Sequence, residues 1–298
     1  RDKLNVEFTF YRKQSKDALI NQNIASSSGA PVGSVLRNLG KVRNQGIEVS
    51  AQAQLVDRRQ FGWDITVSGS HNKNTLITLG LDDAGKKIPT IGTVTRQQEG
   101  YPLNSFFLQS YTYKDVNGDG LIAVSEVTLG DTGVYVGSAT PTNQYTAQSG
   151  IDLFKKHLRV IASFDYRGGF TLFNSGANFL CGNTNQCTAK ADPNASLFDQ
   201  ARNVAANFTN PKTQFGYYEN GEAVRLREIS AVLRMPKKWA GYLRAAEADL
   251  QFGARNLKVW TNYTGQDPEA NYSQTDVQQD FLTTAPRKYY TLRLNLRY

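Results

Sequence analysis

One segment of the sequence carries residues whose types and spacing suit a metal ion. Residues 115–126 follow the pattern D-x-[DN]-x-[DN]-G-x5-E without a mismatch, and glycine stands where the loop must turn sharply. Ca²⁺ takes about six to eight oxygen ligands, which alternate residues of such a loop and a closing glutamate can supply. The pattern predicts a calcium site whose ligands include one backbone carbonyl, that of the leucine: Asp115, Asn117, Asp119, Leu121 and Glu126.

The sequence around this segment is not helical, so the site would be a calcium loop on a β-hairpin. A bound ion would stiffen an exposed loop. The alternative is a turn without metal, since Asp, Asn and Gly are the ordinary residues of turns.

The two cysteines, Cys181 and Cys187, enclose the polar segment Gly-Asn-Thr-Asn-Gln. This spacing is wider than that of a CxxC redox pair, and two cysteines do not make a four-ligand zinc site. We therefore predict a local disulfide that closes a small loop, which implies an oxidising compartment outside the cytoplasm. Two unpaired thiols are the alternative.

The sequence gives no support for an enzyme. Its two histidines, His71 and His157, lie at the ends of different predicted strands, and HExxH, GxSxG and GxGxxG motifs are absent. We expect no catalytic residue and no organic cofactor. The net charge of +8 would suit nucleic acid, but lysine and arginine are scattered along the chain without a basic helix or stripe, so no nucleic-acid partner is expected.

The last ten residues alternate between apolar and polar side chains, as a β-strand with two different faces does. The apolar face begins and ends with tyrosine: Tyr290, Leu292, Leu294, Leu296 and Tyr298. Aromatic residues at both ends of an apolar face are typical of outer-membrane barrel strands. Seven earlier segments alternate in the same way, and none approaches the ~18 apolar residues that a membrane helix needs.

Long and short connections join these eight predicted strands alternately. The long ones are 13–42, 71–142, 168–222 and 264–288, and the short ones are 56–60, 155–157 and 235–242. Outer-membrane barrels have long extracellular loops and short periplasmic turns, whereas a soluble sandwich has no reason to sort its connections. The predicted fold class is all-β, with about eight antiparallel transmembrane strands and long extracellular loops.

The polar faces of the predicted strands carry many charged residues. A closed barrel of eight strands has room only for packed side chains, so a sector of a larger, water-filled barrel is the simpler interpretation. Smaller features are a bulge near Arg227 and Glu228, where the alternation changes parity, a short aromatic strand at 106–113 and a short helix at 197–207.

Several short segments resemble the C-terminal barrel of the SusC/RagA-type TonB-dependent outer-membrane transporters. In chain order they are NLGKVRNQGIE from Asn38, HNKN from His71, DVNGDGLI from Asp115, ATPTN from Ala139, VRLREI from Val224, ARNL from Ala254, YTGQDPE from Tyr263 and the aromatic C-terminus. Each segment is weak alone, but their order and spacing over nearly the whole chain make the set specific.

The resemblance implies import of large nutrients, glycans or peptides, across the outer membrane of a Gram-negative cell. In this family a plug domain sits in a barrel of about 22 strands, TonB supplies energy and a SusD-like lipoprotein lid covers the outside. The sequence shows no plug domain, so residues 1–298 are interpreted as the C-terminal portion of such a barrel.

Outer-membrane lipid, TonB, the lid and the glycan or peptide substrate are the partners that the resemblance implies. The last strand also resembles the signal that barrel-assembly machinery recognises. The alternative function is that of a soluble, secreted, β-rich protein that binds glycans, with tryptophans stacked on sugar rings.

Overall fold

The computed structural model describes residues 3–17, 19–23, 34–38, 40–82, 85–184, 186–192, 194–270 and 279–298. In this part of the chain the strands are β1 (Leu4–Lys16), β2 (Leu19–Asn23), β3 (Ser34–Asn38), β4 (Lys41–Asp57), β5 (Gly62–Thr78), β6 (Thr95–Arg96), β7 (Ser105–Tyr113), β8 (Val127–Ser138), β9 (Asn143–Leu153), β10 (Leu158–Gly168), β11 (Thr171–Phe173), β12 (Tyr218–Asn220), β13 (Ala223–Arg234), β14 (Glu247–Thr261) and β15 (Tyr289–Arg297). The helices are α1 (Ser175–Phe179), α2 (Thr188–Ala191), α3 (Leu197–Asn207) and α4 (Lys237–Tyr242). No helix of the described residues is long and apolar enough to cross a membrane.

One antiparallel sheet of eight strands dominates the described residues. Its order is β1-β4-β5-β9-β10-β13-β14-β15, so strands that are neighbours along the chain are also neighbours in space. The remaining strands form small sheets, β2-β3, β6-β7-β8 and β11-β12, within the long connections. The predicted all-β fold of eight antiparallel strands is confirmed, as is the alternation of long loops and short turns.

Several strands are longer than the sequence predicts. The alternation suggests an end near residue 11 for β1 and a start at residue 46 for β4, whereas their pairing continues to Lys16 and Lys41. A membrane-crossing strand needs about 9–11 residues, and β4 and β5 have 17 each. Most of the extra residues are polar, and the apolar Val42 and Leu76 lie on the face that is polar further along these strands, so apolar alternation gives no signal for them.

The predicted bulge is present in β13. The register passes from Leu226 to Glu228, which leaves Arg227 without a partner in the ladder on either side. A bulge residue shifts the parity of a strand by one. As a consequence, two successive charged residues, Arg227 and Glu228, point to the same face of the sheet.

The long loops contain more regular structure than the sequence indicates. The region 71–142 was expected to be irregular apart from one short strand, yet β7 pairs with β8 in an antiparallel sheet. Glycines interrupt β8 at 130, 133 and 137, which hides its alternation. The predicted short helix at 197–207 is α3, and the turn at 235–242 contains α4.

These loops pack on one another rather than extending separately into solvent. Ile122 and Val127, from the loop between β5 and β9, form a buried cluster with Ala201, Val204 and Ala205 of α3. A hydrogen bond of 2.6 Å from the Thr213 hydroxyl to the carbonyl of Gln109 joins the same two loops. Loops with their own apolar cores are held in a defined shape above the sheet.

Candidate functional site

The main sheet has an apolar and a polar face. On the apolar face, large side chains remain exposed: Phe8 is 65% and Leu292 71% exposed, and Val49 is exposed as well. A continuous apolar face of this size requires a nonpolar medium. We call it the outward face, and the opposite, polar face the luminal face.

Ion pairs on the luminal face fasten the segment after β14 to the strands. Arg227 donates to both carboxylate oxygens of Asp165 at 2.8 and 2.6 Å and to both of Glu269 at 3.1 and 2.7 Å. Arg225 donates to Asp267 at 2.6 Å, and these two side chains are only 5% and 4% exposed. Arg225 and Arg227 are two residues apart on one strand and point to the same face, so both reach this segment.

Glu269 stands between three guanidinium groups. Burial alone would raise the pKa of its carboxyl, but hydrogen bonds from Arg227 and the charges of Arg225, Arg227 and Arg167 hold that pKa below its usual value of 4.5. The carboxylate is therefore ionised at neutral pH and neutralises charge that would otherwise repel.

A second charged group lies nearer the short turns. Arg159 of β10 donates to Asp64 of β5 at 2.8 and 3.0 Å and to Asp152 of β9 at 3.0 Å. The guanidinium lies directly over Gly150, and a Cβ at this position would require the arginine side chain to shift. Glycine thus leaves room for this close approach.

The luminal face can bind polar solutes. A wide hollow of ≈ 630 Å³ lies over it, and its polar lining includes Thr66, Gln148, Ser163 and Arg227. Hydroxyl, amide and charged groups of both signs offer donors and acceptors to a hydrated molecule. The ion pairs between the β13 arginines and the segment after β14 were not predicted. The sequence does contain a usable signal for them, because two arginines, 225 and 227, and two carboxylates, 267 and 269, have the same spacing of two residues.

In the predicted calcium loop, the carboxylates bind backbone N–H groups. Asp115 accepts from Gly118 at 2.7 Å and from Gly120 at 3.0 Å, and Glu126 accepts from Val116 at 2.8 Å. Asn117 and Asp119 likewise accept from the backbone two residues further on. Such bonds define a tight loop with or without an ion.

The side chain of Gln200 in α3 holds this loop from outside: it donates to the carbonyl of Gly120 at 3.0 Å and accepts from the N–H of Ile122 at 2.9 Å. Within the described residues, no group of three or more His, Cys, Asp or Glu side chains is placed to hold a metal ion. Leu121 is exposed. Calcium binding by this loop, including the role of the Leu121 carbonyl as a ligand, stays a prediction.

Cys181 and Cys187 are joined in a disulfide, the predicted pairing. Cys181 is buried in the turn that continues α1, and Cys187 directly precedes α2. The bond therefore ties two short helices that are too brief to be stable alone. Both belong to the loop that carries α3.

The predicted last strand is β15, at one edge of the sheet. It pairs with β14, with Leu292 opposite Phe252 and Tyr290 opposite Ala254. The five residues predicted for its apolar face lie outward with the apolar residues of β14: Tyr290, Leu292, Leu294, Leu296 and Tyr298. Recognition of this strand by assembly machinery remains a prediction.

Antiparallel strands with an apolar outward face, a wet luminal face and loops sorted by length define part of an outer-membrane β-barrel. A family model described as "TonB dependent receptor-like, beta-barrel" matches residues 1–210. The chain belongs to this family of TonB-dependent receptors, which are outer-membrane transporters and not enzymes.

Individual relatives agree with this assignment. The chain is 24% identical to the TonB-dependent receptor P3 of Formosa agariphila over an alignment of 333 residues. The alignment covers all of this chain and 32% of that receptor. It is 32% identical to the TonB-dependent receptor SusC of Bacteroides thetaiotaomicron over 111 residues, 32% of this chain and 11% of SusC.

Among solved structures, the chain is similar to the RagAB peptide importer in its closed-closed state, with a TM-score of 0.76, 20% identity and coverage of 99% of this chain and 33% of that one. The chain is thus SusC/RagA-like in its fold and in part of its sequence, as the resemblance predicted. Receptor P3 and the RagAB chain match all or nearly all of this chain, and in both cases this chain spans only about a third of the relative's length.

Proposed function

We propose that the chain forms the C-terminal portion of the barrel of a TonB-dependent importer, and that the complete transporter takes up peptides or glycans. The observation that carries the proposal is the match of 99% of the chain to 33% of a chain of the RagAB peptide importer at a TM-score of 0.76. The name of that relative makes peptides the first substrate to test.

The luminal wall is compatible with such substrates. Its arginines are paired with carboxylates, so the wall presents both signs of charge rather than one strong field. Peptides and glycans are large, polar and hydrogen-bonding, and a wall of this kind lets them pass without holding them by a single charge. The alternative of a soluble glycan-binding protein requires the outward apolar rows to be buried, which conflicts with the exposure of Phe8 and Leu292.

The complete transporter has two protein partners in this proposal. TonB transmits energy from the inner membrane, and a SusD-like lipoprotein covers the extracellular loops. Support for both comes from the SusC/RagA type of the chain, and support for the second also from the packed loops, which offer a shaped surface.

Growth and uptake in the source cell test the proposal. Deletion of the gene for the complete transporter should abolish growth on oligopeptides as the nitrogen source, while growth on free amino acids continues. A protonophore should stop uptake of a labelled oligopeptide in the undeleted strain, because TonB depends on the inner-membrane proton gradient. If glycan utilisation fails instead, the substrate is a glycan; if neither changes, the importer proposal is wrong.

A further inference from the structure

Five basic residues meet on the outward face, at the long-loop ends of three adjacent strands. They are Arg12, Lys16, Lys41, Arg43 and Lys73. Residues that lie opposite each other in an antiparallel pair share a face of the sheet. Gln45 of β4 lies opposite Arg12 of β1 on one side and opposite Lys73 of β5 on the other, and Lys16 lies opposite Lys41. Phe10 and Ile47 form the next pair on the same face, two residues nearer the membrane than Arg12 and Gln45. We call these five residues the basic cluster.

The positive charge of the basic cluster is not balanced within the described part of the chain. None of its five side chains takes part in an ion pair or hydrogen bond there, and the Nε of Arg43 is buried without a partner. The carboxylates Glu7 and Glu48 of β1 and β4 have luminal parity. Among the described residues, Asp17, directly after Lys16, forms no ion pair with the cluster. An anion approaching from outside the barrel would therefore meet several free cations.

The cluster lies just above the outer boundary of the apolar band. On β1 the outward row ends in the aromatic residues Phe8 and Phe10, and on β5 Gly69 is aligned with Phe8 through Val49. Arg12 and Lys73 follow Phe8 and Gly69 by four residues, about 13 Å along the strand. With a tilt of about 40° each of them lies ~10 Å further along the membrane normal than the residue that it follows, beyond the apolar rows and at headgroup depth.

An apolar groove begins directly below the cluster. It has a volume of ≈ 540 Å³ and is lined by Ile47, Val67, Gly69, Tyr145 and Ala147, among others. It exists because Gly69 and Ala147 have small or no side chains between larger neighbours. Small-molecule sites in proteins have volumes of about 300–1,000 Å³, so the groove can hold an acyl chain.

One wall of the groove is fixed in place. The rings of Tyr145 and Tyr166 stack with centroids 5.4 Å apart, and the Tyr166 hydroxyl donates to Glu222 at 2.7 Å. A wall held on two sides is a preformed site that does not have to be ordered when a chain binds.

We propose that the basic cluster and the groove together bind lipopolysaccharide, the phosphorylated glycolipid of the outer leaflet. Its phosphates contact Arg12, Arg43 and Lys73, and one acyl chain lies in the groove between Val67 and Tyr145. The unbalanced positive charge at headgroup depth and the continuity of the groove with the lipid-facing surface both support this occupant. The inference rests on the proposed function, because it requires the chain to be part of an assembled outer-membrane barrel.

Titration of the complete transporter with lipid A tests the charge contacts. The delipidated protein in detergent is analysed by native mass spectrometry, and one lipid A should bind per barrel. A triple variant that combines Arg12→Gln, Arg43→Gln and Lys73→Gln should bind lipid A about 10- to 100-fold more weakly, since each surface cation contributes to the attraction of anionic lipid. The matched control removes three cations at the short turns: Arg58→Gln with Arg59→Gln and Lys155→Gln should bind like the unchanged protein.

The groove is tested separately from the charges. Ala147→Phe should fill it and weaken lipid A binding at least tenfold, whereas Ala53→Phe, on the same face outside the groove, should leave it unchanged. Equal loss in the cationic variant and its control, or binding of phosphatidylglycerol as tight as that of lipid A, would overturn the proposal. If the unchanged protein is absent from the outer membrane, the proposed function fails; if it is present and binds no lipid A, only this inference fails.

Discussion

At the scale of the residue, some of the luminal arginines are shared between two carboxylates. Arg227 lies between Asp165 and Glu269, and Arg159 lies between Asp64 and Asp152. A charge that is partly removed from water is costly unless partners replace the lost hydration. The pairs therefore hold long side chains against the wall instead of leaving them across the lumen.

Glu269→Gln tests the most connected of these groups. The substitution keeps the shape but removes the charge that three arginines contact, so the segment 263–270 should open more often, by about 1–3 kcal/mol of local stability. Amide hydrogen exchange of the membrane-embedded protein measures this opening. Asp131→Asn, an exposed position in another loop, is the control and should leave exchange in this segment unchanged.

The same carboxyl predicts a dependence on pH. Its pKa in the folded protein is lower than the usual 4.5, so its stabilising effect is fully present above that value and is lost as the pH falls through the folded pKa. Exchange in the segment 263–270 should therefore accelerate below pH 4.5 beyond the ordinary pH effect on amides. An identical acceleration in Glu269→Gln would contradict this explanation.

Calcium binding by the loop at 115–126 is tested by calorimetry. Calcium added to the intact protein should release or absorb heat with a single-site isotherm, and Asp119→Ala should abolish it by removing a predicted ligand. Asp131→Asn, in the same connection but outside the loop, should bind normally. Absence of heat with the unchanged protein would identify the segment as a hydrogen-bonded turn without metal.

At the scale of the element, the alternation of β15 states which side chains contact lipid. Leu292→Arg should destabilise the barrel by about 2–4 kcal/mol, because it places a charge in the apolar band, and the amount of assembled protein in the outer membrane should fall. Thr291→Arg, one residue away and on the luminal face, should assemble normally. Equal assembly of both variants would mean that the two faces of β15 are wrongly assigned.

The same alternation explains which elements sequence reasoning can find. Strands whose faces meet lipid and water carry a period of two, so all eight were predicted, and the change of parity located the bulge at Arg227. The strand β8 was missed because it pairs within a loop, where neither face meets lipid and glycines break the pattern. The parts of β1 and β4 that extend beyond the membrane were also missed, because neither of their faces meets lipid.

Sequence order also conceals sites that strand pairing creates. Lysine and arginine were interpreted as scattered, and along the chain Arg12 and Lys73 are far apart. Pairing of β1 with β4 and of β4 with β5 aligns them on one face, two strands apart. The luminal contact of Arg225 with Asp267 is hidden in the same way. Spacing reveals the face of a residue but not its neighbours on other strands.

At the scale of the whole molecule, the described strands form an open sheet rather than a closed barrel. β1 and β15 lie at its two edges, each paired on one side within the described residues. Unpaired backbone groups cannot remain exposed in lipid, so both edges need further strands. The chain also spans about a third of its relatives, which agrees with the proposed larger barrel.

Labelling of single cysteines tests the orientation of the whole assembly. The native Cys181 and Cys187 are bonded to each other, so the unchanged protein should not react with maleimide. Val116→Cys places a thiol on an exposed position of a long loop, and Phe154→Cys places one on an exposed short turn. A membrane-impermeant maleimide should label Val116→Cys in intact cells and Phe154→Cys only after the outer membrane is permeabilised, because barrels insert with long loops outside. Labelling of both in intact cells, or the reverse pattern, would contradict the transmembrane arrangement on which the lumen, the lid and the lipid contacts all depend.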